Sequence, residues 1–179
     1  MKQKVLIISA SPRKGGNSDL LCDQFMLGAR EAGNQVEKIN LQDRKINFCL
    51  GCMDCQSNGG VCVQNDDMAE ILDKMVQADV LVMATPVYFY NMYAQLKALI
   101  DRTCPQYTKI ANKKAFLIAT SYDSGKEAID VTLAGFRAFL GCLDNVEEGG
   151  IIHGTGVLNT DDIKGKPEMD IAYEMGKAI

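Results

Sequence analysis

The chain predicts an α/β protein built on a doubly wound parallel sheet of five strands. Two observations carry this. Short apolar runs such as Lys4-Val-Leu-Ile-Ile-Ser9 lack polar alternation, as strands buried on both faces do. Between such runs lie segments whose apolar residues recur at helical spacing, so strand and helix alternate along the chain.

The first strand spans 4–9. From Ser18 to Ala32, Leu21, Phe25, Ala29 and Ala32 share one helical face, and Gly33 supplies the stop. A strand over 35–41 follows. Asp66 and Asp67 are read as caps for a helix carrying Met68, Ile71, Leu72, Met75 and Val76. The third strand is expected over 80–84, a helix over 94–101, the fourth strand over 114–120, a helix over 127–143 and the fifth strand over 146–153. Pro167 opens the last helix, in the position where its missing N–H costs nothing. There is no internal repeat and no low-complexity linker, and 179 residues with 47% hydrophobic content suit one domain over 1–179.

Composition narrows the function. A net charge of −4 argues against nonspecific nucleic-acid binding, and no apolar window approaches a membrane span. The seven cysteines are an odd count with no secretory leader pattern before them, which implies reduced thiols and a cytoplasmic location. Expected partners are small molecules or proteins.

In a doubly wound sheet the ligand lies beyond the carboxyl ends of the strands, where SASPRKGGNS (9–18), TPVYFYN (85–91) and TSYDSG (120–125) should meet. The first combines Ser9, Ser11, two glycines, Arg13, Asn17 and Ser18 with a helix start, so hydroxyls, backbone N–H groups, a cation and the helix dipole converge on an anion. Neither the dinucleotide glycine pattern nor the Walker lysine is present, which points to a mononucleotide phosphate. An ordinary βα loop capped by Ser18 is the bland alternative. In the second segment Tyr88, Phe89, Tyr90 and Tyr93 crowd a strand exit beside Pro86 and Asn91, a surface able to bracket a flat ring or to cover a subunit contact.

Cys49, Cys52, Cys55 and Cys62 form C-x2-C-x2-C-x6-C. Two-residue gaps let successive sulfurs reach three corners of a [4Fe–4S] cube, and Gly59 and Gly60 let the chain return with the fourth. Zinc, a catalytic dithiol and a metal-free loop are the alternatives. Cys22 and Cys142 fall in helical patterns and are read as packing residues, and Cys104 is set aside with them.

VLIISASPRKGGNS, TPVYFYNMYAQLKALIDR, CLGCMDCQSNGGVCVQNDDM and DDIKGKPEMDIAYEMGKAI together resemble the NADPH-dependent FMN reductases of the flavodoxin-like superfamily, close to its iron-sulfur flavoprotein branch. The resemblance implies a flavodoxin-like sheet of order 2-1-3-4-5. It implies FMN, with its phosphate at Ser9, Ser11, Arg13, Asn17 and Ser18, its ring at Pro86, Val87, Tyr88, Phe89 and Asn91, and its far edge at Ser121, Tyr122, Asp123 and Gly125. TSYDSG departs from the glycine-rich third loop of many relatives. The resemblance further implies NAD(P)H as co-substrate, a quinone, flavin or other small-molecule or protein acceptor, and a homo-oligomer paired through 88–93 and the cysteine segment. A cluster at the four cysteines and a metal-free loop both occur among such relatives.

With no second nucleotide motif, nicotinamide and acceptor should use one flavin face in turn, a ping-pong scheme in which the flavin carries the chemistry and no side chain serves as general acid or base. The single histidine, His153, is read as a strand-end residue. A phosphorylated receiver would need acidic residues where Ser9-Ala10-Ser11 and Ala84-Thr85-Pro86 stand, and a low-molecular-weight phosphatase would need a cysteine five residues before Arg13. A noncatalytic flavin-binding module is the remaining alternative.

Overall fold

In the computed structural model, which describes residues 2–125 and 127–179, the strands are β1 (Lys4–Ser9), β2 (Gln35–Asn40), β3 (Val80–Tyr88), β4 (Asn91–Met92), β5 (Lys113–Thr120) and β6 (Val146–Gly154). Five of them form one parallel sheet in the order β2-β1-β3-β5-β6. Counted without the two-residue β4, this is the expected 2-1-3-4-5. The helices are α1 (Asn17–Glu31), the single turn α2 (Asp54–Ser57), α3 (Met68–Gln77), α4 (Ala94–Asp101), α5 (Glu127–Leu140) and α6 (Pro167–Lys177).

Successive side chains of a strand point to opposite faces, so a strand apolar at every position can feed two cores. β1 does so: Val5 and Ile7 join Leu21, Phe25 and Ala29 of α1 and Ala172 of α6, while Leu6 and Ile8 join Ile71 and Met75 of α3, Leu96 and Leu99 of α4 and Phe136 of α5. Each fully buried side chain of this size contributes about 1.5–3 kcal/mol of transfer free energy. A one-residue slip in β1 would keep both faces apolar but exchange their shapes, so register is fixed by packing as well as by polarity. On the α1/α6 side two glycines let backbone touch backbone. A Cβ on Gly28 would stand 2.0 Å from the Tyr173 carbonyl oxygen, and one on Gly176 would stand 2.1 Å from that of Phe25.

Three details differ from the sequence expectation. β3 runs on to Tyr88, because Phe89 and Tyr90 adopt positive φ (50° and 62°) and turn the chain into an antiparallel hairpin with β4. Such two-residue turns match strand twist, but bulky aromatics rarely signal them. α5 ends at Leu140, where Cys142 and Leu143 donate to Phe139 and Leu140 in tighter turns. The Asp67 side chain does not cap α3 and accepts instead from the Lys45 N–H at 2.7 Å. Asp66 reaches the Met68 N–H at 3.2 Å, but its main partner is Arg102. Among the described residues, no helix is long and apolar enough to cross a membrane.

Candidate functional site

At the carboxyl edge of the sheet, the β1–α1 loop, the β3–β4 hairpin and the segments after β5 and β6 surround a cleft of about 200 Å³. Ser11, Arg13, Asn17 and Ser18 line it from the first loop, Pro86, Val87 and Tyr88 from the hairpin, and Tyr122 from beyond β5.

The first loop is built as a cradle. The Ser11 hydroxyl donates to the Arg13 carbonyl at 2.7 Å and accepts from the Arg13 N–H at 3.2 Å. The Gly16 N–H closes the turn on the Arg13 carbonyl at 3.0 Å. A Cβ at Gly16 would meet the Ser11 hydroxyl at 2.7 Å, so glycine is what allows the loop to fold this tightly. Among the described residues no side chain caps α1, whose first residues Asn17 and Ser18 line the cleft. Free first-turn N–H groups and the positive end of the helix dipole therefore lie at its edge. That is a fit for an anion, and the concave space beyond it, flanked by Pro86, Tyr88 and Tyr122, fits a flat ring.

Beneath the loop, Ser9 is fully buried and its hydroxyl donates to Asp19 at 2.8 Å. Asp19 also accepts from the Gly15 N–H at 3.0 Å and pairs with Lys38 at 2.8 Å. Burial alone would raise the Asp19 carboxyl, but Lys38, Gly15 and Ser9 together hold it below the usual carboxylate range. Ser9 therefore sits behind the cleft, holding the loop through Asp19. Arg13 and Asn17 lie at the cleft and also fasten its outer wall: the Arg13 guanidinium donates to the Leu158 carbonyl and the Asn17 amide to the Asn159 carbonyl, both at 3.0 Å. The Ile163 N–H returns a bond to the Asn17 amide oxygen at 3.2 Å.

The hairpin is held by Thr85, whose hydroxyl accepts from the Tyr93 N–H and donates to the Pro86 carbonyl, both at 2.8 Å. Tyr88 and Tyr93 pack edge to face, their centroids 5.3 Å apart. Phe89 is fully exposed at the tip, and Asn91 accepts from the Met92 N–H at 2.8 Å. These two face a second, larger groove with Phe48, Tyr93 and Lys97, outside the first cleft. In the third segment Ser121 is buried and donates to the Asp123 carbonyl at 2.7 Å, and the Asp123 carboxylate accepts from the Gly125 N–H at 2.9 Å. Ser121, Asp123 and Gly125 thus shape the turn behind Tyr122 and do not line the cleft.

Sequence reasoning did not name Pro12, Gly16, Thr120, Val157, Leu158 and Thr160, which also line it. Pro12, Gly16 and Thr120 belong to segments already singled out. Val157 to Thr160 follow β6, and the rule that ligands gather beyond strand carboxyl ends applies equally there.

The cysteine segment is tied at its neck. The Arg102 guanidinium pairs with both carboxylate oxygens of Asp66, at 2.7 and 2.9 Å, and donates to the Asn47 carbonyl at 2.8 Å. Asn47 in turn donates its N–H to Asp66 at 2.9 Å, and the Gln64 amide reaches the Phe48 carbonyl at 2.9 Å. Both side chains of the ion pair are almost completely buried. Burial would raise Asp66, but Arg102 and the N–H groups of Asn47 and Met68 hold it below the usual carboxylate range.

Above this neck Cys49, Cys52, Cys55 and Cys62 line one small pocket with Arg102 and Cys104. Cys62 and Arg102 share that lining, and the guanidinium Nε has no hydrogen-bond partner among the described residues. The donor set, four thiols and a buried N–H, suits a thiolate-held metal group, since such N–H groups commonly hydrogen-bond the sulfurs. Among the described residues no three ligating side chains already converge on one point. Burial, and then the adjoining Cys104 thiol, push the Cys55 thiol up. Cys22 is a core residue whose thiol burial drives upward.

Residues 3–145 match the sequence profile of the NADPH-dependent FMN reductases. The chain is 33% identical over 156 residues to an iron-sulfur flavoprotein of Methanosarcina thermophila, covering 83% of this chain and 81% of that protein. It is 40% identical over 102 residues to an iron-sulfur flavoprotein of Archaeoglobus fulgidus, covering 57% of this chain and 46% of that one. The chain thus spans about half the length of the Archaeoglobus relative. A NAD(P)H:quinone oxidoreductase from Methanothermobacter marburgensis shares the fold at a TM-score of 0.75 and 19% identity, over 99% of this chain and 96% of that one. Profile, relatives and sheet order agree: the chain belongs to the NADPH-dependent FMN reductase family, on its iron-sulfur flavoprotein branch.

Proposed function

We propose that the chain is an FMN-dependent NAD(P)H oxidoreductase. The observation that carries this reading is the uncapped N-terminus of α1 opening, through the Ser11–Gly16 cradle, onto a cleft at the carboxyl edge of the sheet. Ser11, Arg13, Asn17 and Ser18 would hold the phosphate, and Pro86, Val87, Tyr88 and Tyr122 would flank the ring. When bound, FMN supplies hydride acceptance from a nicotinamide and electron delivery to an acceptor. The chain's own part is to bind, orient and leave one side open. Phe89 and Asn91, on the hairpin rim, would meet the nicotinamide, the acceptor or a second copy of the chain. The exposed apolar side chains Phe48, Leu50, Met53, Val61, Val63 and Phe89 give that copy a surface.

The test is steady-state oxidation of NADPH or NADH by FMN-loaded protein with a quinone as acceptor. Nicotinamide and acceptor sharing one open side predicts parallel double-reciprocal lines. Intersecting lines would require a second site, and FMN binding without nicotinamide oxidation would leave a noncatalytic flavin module.

The cysteine pocket favours a second group. Cys49, Cys52, Cys55 and Cys62 would hold a [4Fe–4S] cluster, which when bound supplies one-electron transfer to a protein acceptor. Anaerobically purified chain should then carry about four irons with matching sulfide, both lost in Cys52→Ser. Iron-free protein with full NAD(P)H oxidation would instead establish a plain FMN reductase.

A further inference from the structure

Cys104 follows α4, more than forty positions from the motif cysteines, yet its side chain enters their pocket. The Gln56 amide nitrogen stands 3.5 Å from the Cys104 sulfur and 3.9 Å from the Cys55 sulfur, and it donates to the Cys104 carbonyl at 3.3 Å. One amide nitrogen thus lies within 3.9 Å of both sulfurs, and both cysteines line the same pocket. The backbones also meet, since a Cβ at Gly60 would stand 2.7 Å from the Pro105 carbonyl oxygen. Gln56 and Cys55 lie on the short α2, whose turn is closed by the Ser57 hydroxyl on the Asp54 carbonyl at 3.0 Å. The segment is thus laid against residues 104–105, with the Cys55 and Cys104 sulfurs gathered about the Gln56 amide. Both cysteines are partly exposed, so a small reagent can reach them.

We infer that Cys55 and Cys104 form a redox-active dithiol, which closes as a disulfide in the metal-free chain and pins the cysteine segment to the end of α4. The oxidant is a low-molecular-weight disulfide. One thiolate attacks it, forming a mixed disulfide and releasing the first small thiol. The other cysteine then attacks the protein sulfur of that bond and releases the second. Two protein thiols become one disulfide, and one small disulfide becomes two small thiols. Cys55 is at the same time one of the four thiols of the proposed cluster, so closure would withdraw a ligand from it. The pairing itself stands on the metal-free geometry and does not require the cluster reading.

Metal-free, fully reduced chain is exposed to hydroxyethyl disulfide, alkylated and mapped by mass spectrometry. The expected product joins the Cys55 and Cys104 peptides and leaves Cys49, Cys52 and Cys62 alkylated. Its thermal midpoint rises by several degrees, because a cross-link between distant positions restricts the unfolded chain. In Cys104→Ser neither the joined peptide nor the rise is seen, and Cys55 carries the mixed disulfide. Linkage of Cys55 to Cys52 or Cys62 in the wild-type chain, with Cys104 still alkylated, overturns the inference. The iron content of the reduced chain decides the metal reading separately.

Discussion

Arg102→Leu is expected to cost about 3–5 kcal/mol of folding stability, because it leaves the buried Asp66 carboxylate without its counter-charge. That is a large share of the roughly 5–15 kcal/mol by which domains are stable. The carboxylate would keep only the Asn47 and Met68 N–H groups. Denaturant unfolding followed by circular dichroism reads the loss, and Arg102→Leu with Asp66→Asn should recover part of it by removing the unpaired charge. A loss under about 1 kcal/mol, the range of exposed pairs, would show that the pair is not the clasp of the neck. The pH dependence has a definite sign. The folded carboxyl lies below its ordinary value of about 3.9, so its contribution is complete above that value and is lost as pH falls through the folded one. In Arg102→Leu the acid limb of the stability curve moves to higher pH.

Arg13→Ala combined with Ser11→Ala is expected to weaken FMN binding by about 3–6 kcal/mol, if each residue supplies one charge-assisted bond worth roughly 1.5–3 kcal/mol. This corresponds to roughly two to four orders of magnitude in Kd. The hydroxyl of Ser11 also holds the turn that aims the backbone N–H groups, so its removal acts on the cradle as well as on the contact. Arg13 in addition fastens the wall at Leu158. Titration of apo-protein with FMN, followed by flavin fluorescence, measures the change. Unchanged affinity in the double variant would remove the phosphate from the N-terminus of α1.

What the sequence by itself determined is local and periodic. The apolar run 4–9, the helical face of Leu21, Phe25 and Ala29, and Pro167 at a first turn are written within a few residues, where strand and helix periods act directly on burial. The alternation of such elements fixed the sheet, and the density of hydroxyls, glycines and a cation in 9–18 marked the cleft. Even there the tertiary structure divided the roles: Ser11, Arg13, Asn17 and Ser18 face the space, while Ser9 is consumed by Asp19 behind it. The hairpin turn at Phe89 and Tyr90, the closing wall of Val157 to Thr160, the Arg102–Asp66 clasp and the meeting of Cys55 with Cys104 were decided only in three dimensions. Apart from the turn, each is an encounter between residues far apart in the chain. No spacing rule links such positions, and they meet because helices docked on a parallel sheet bring their ends to common edges.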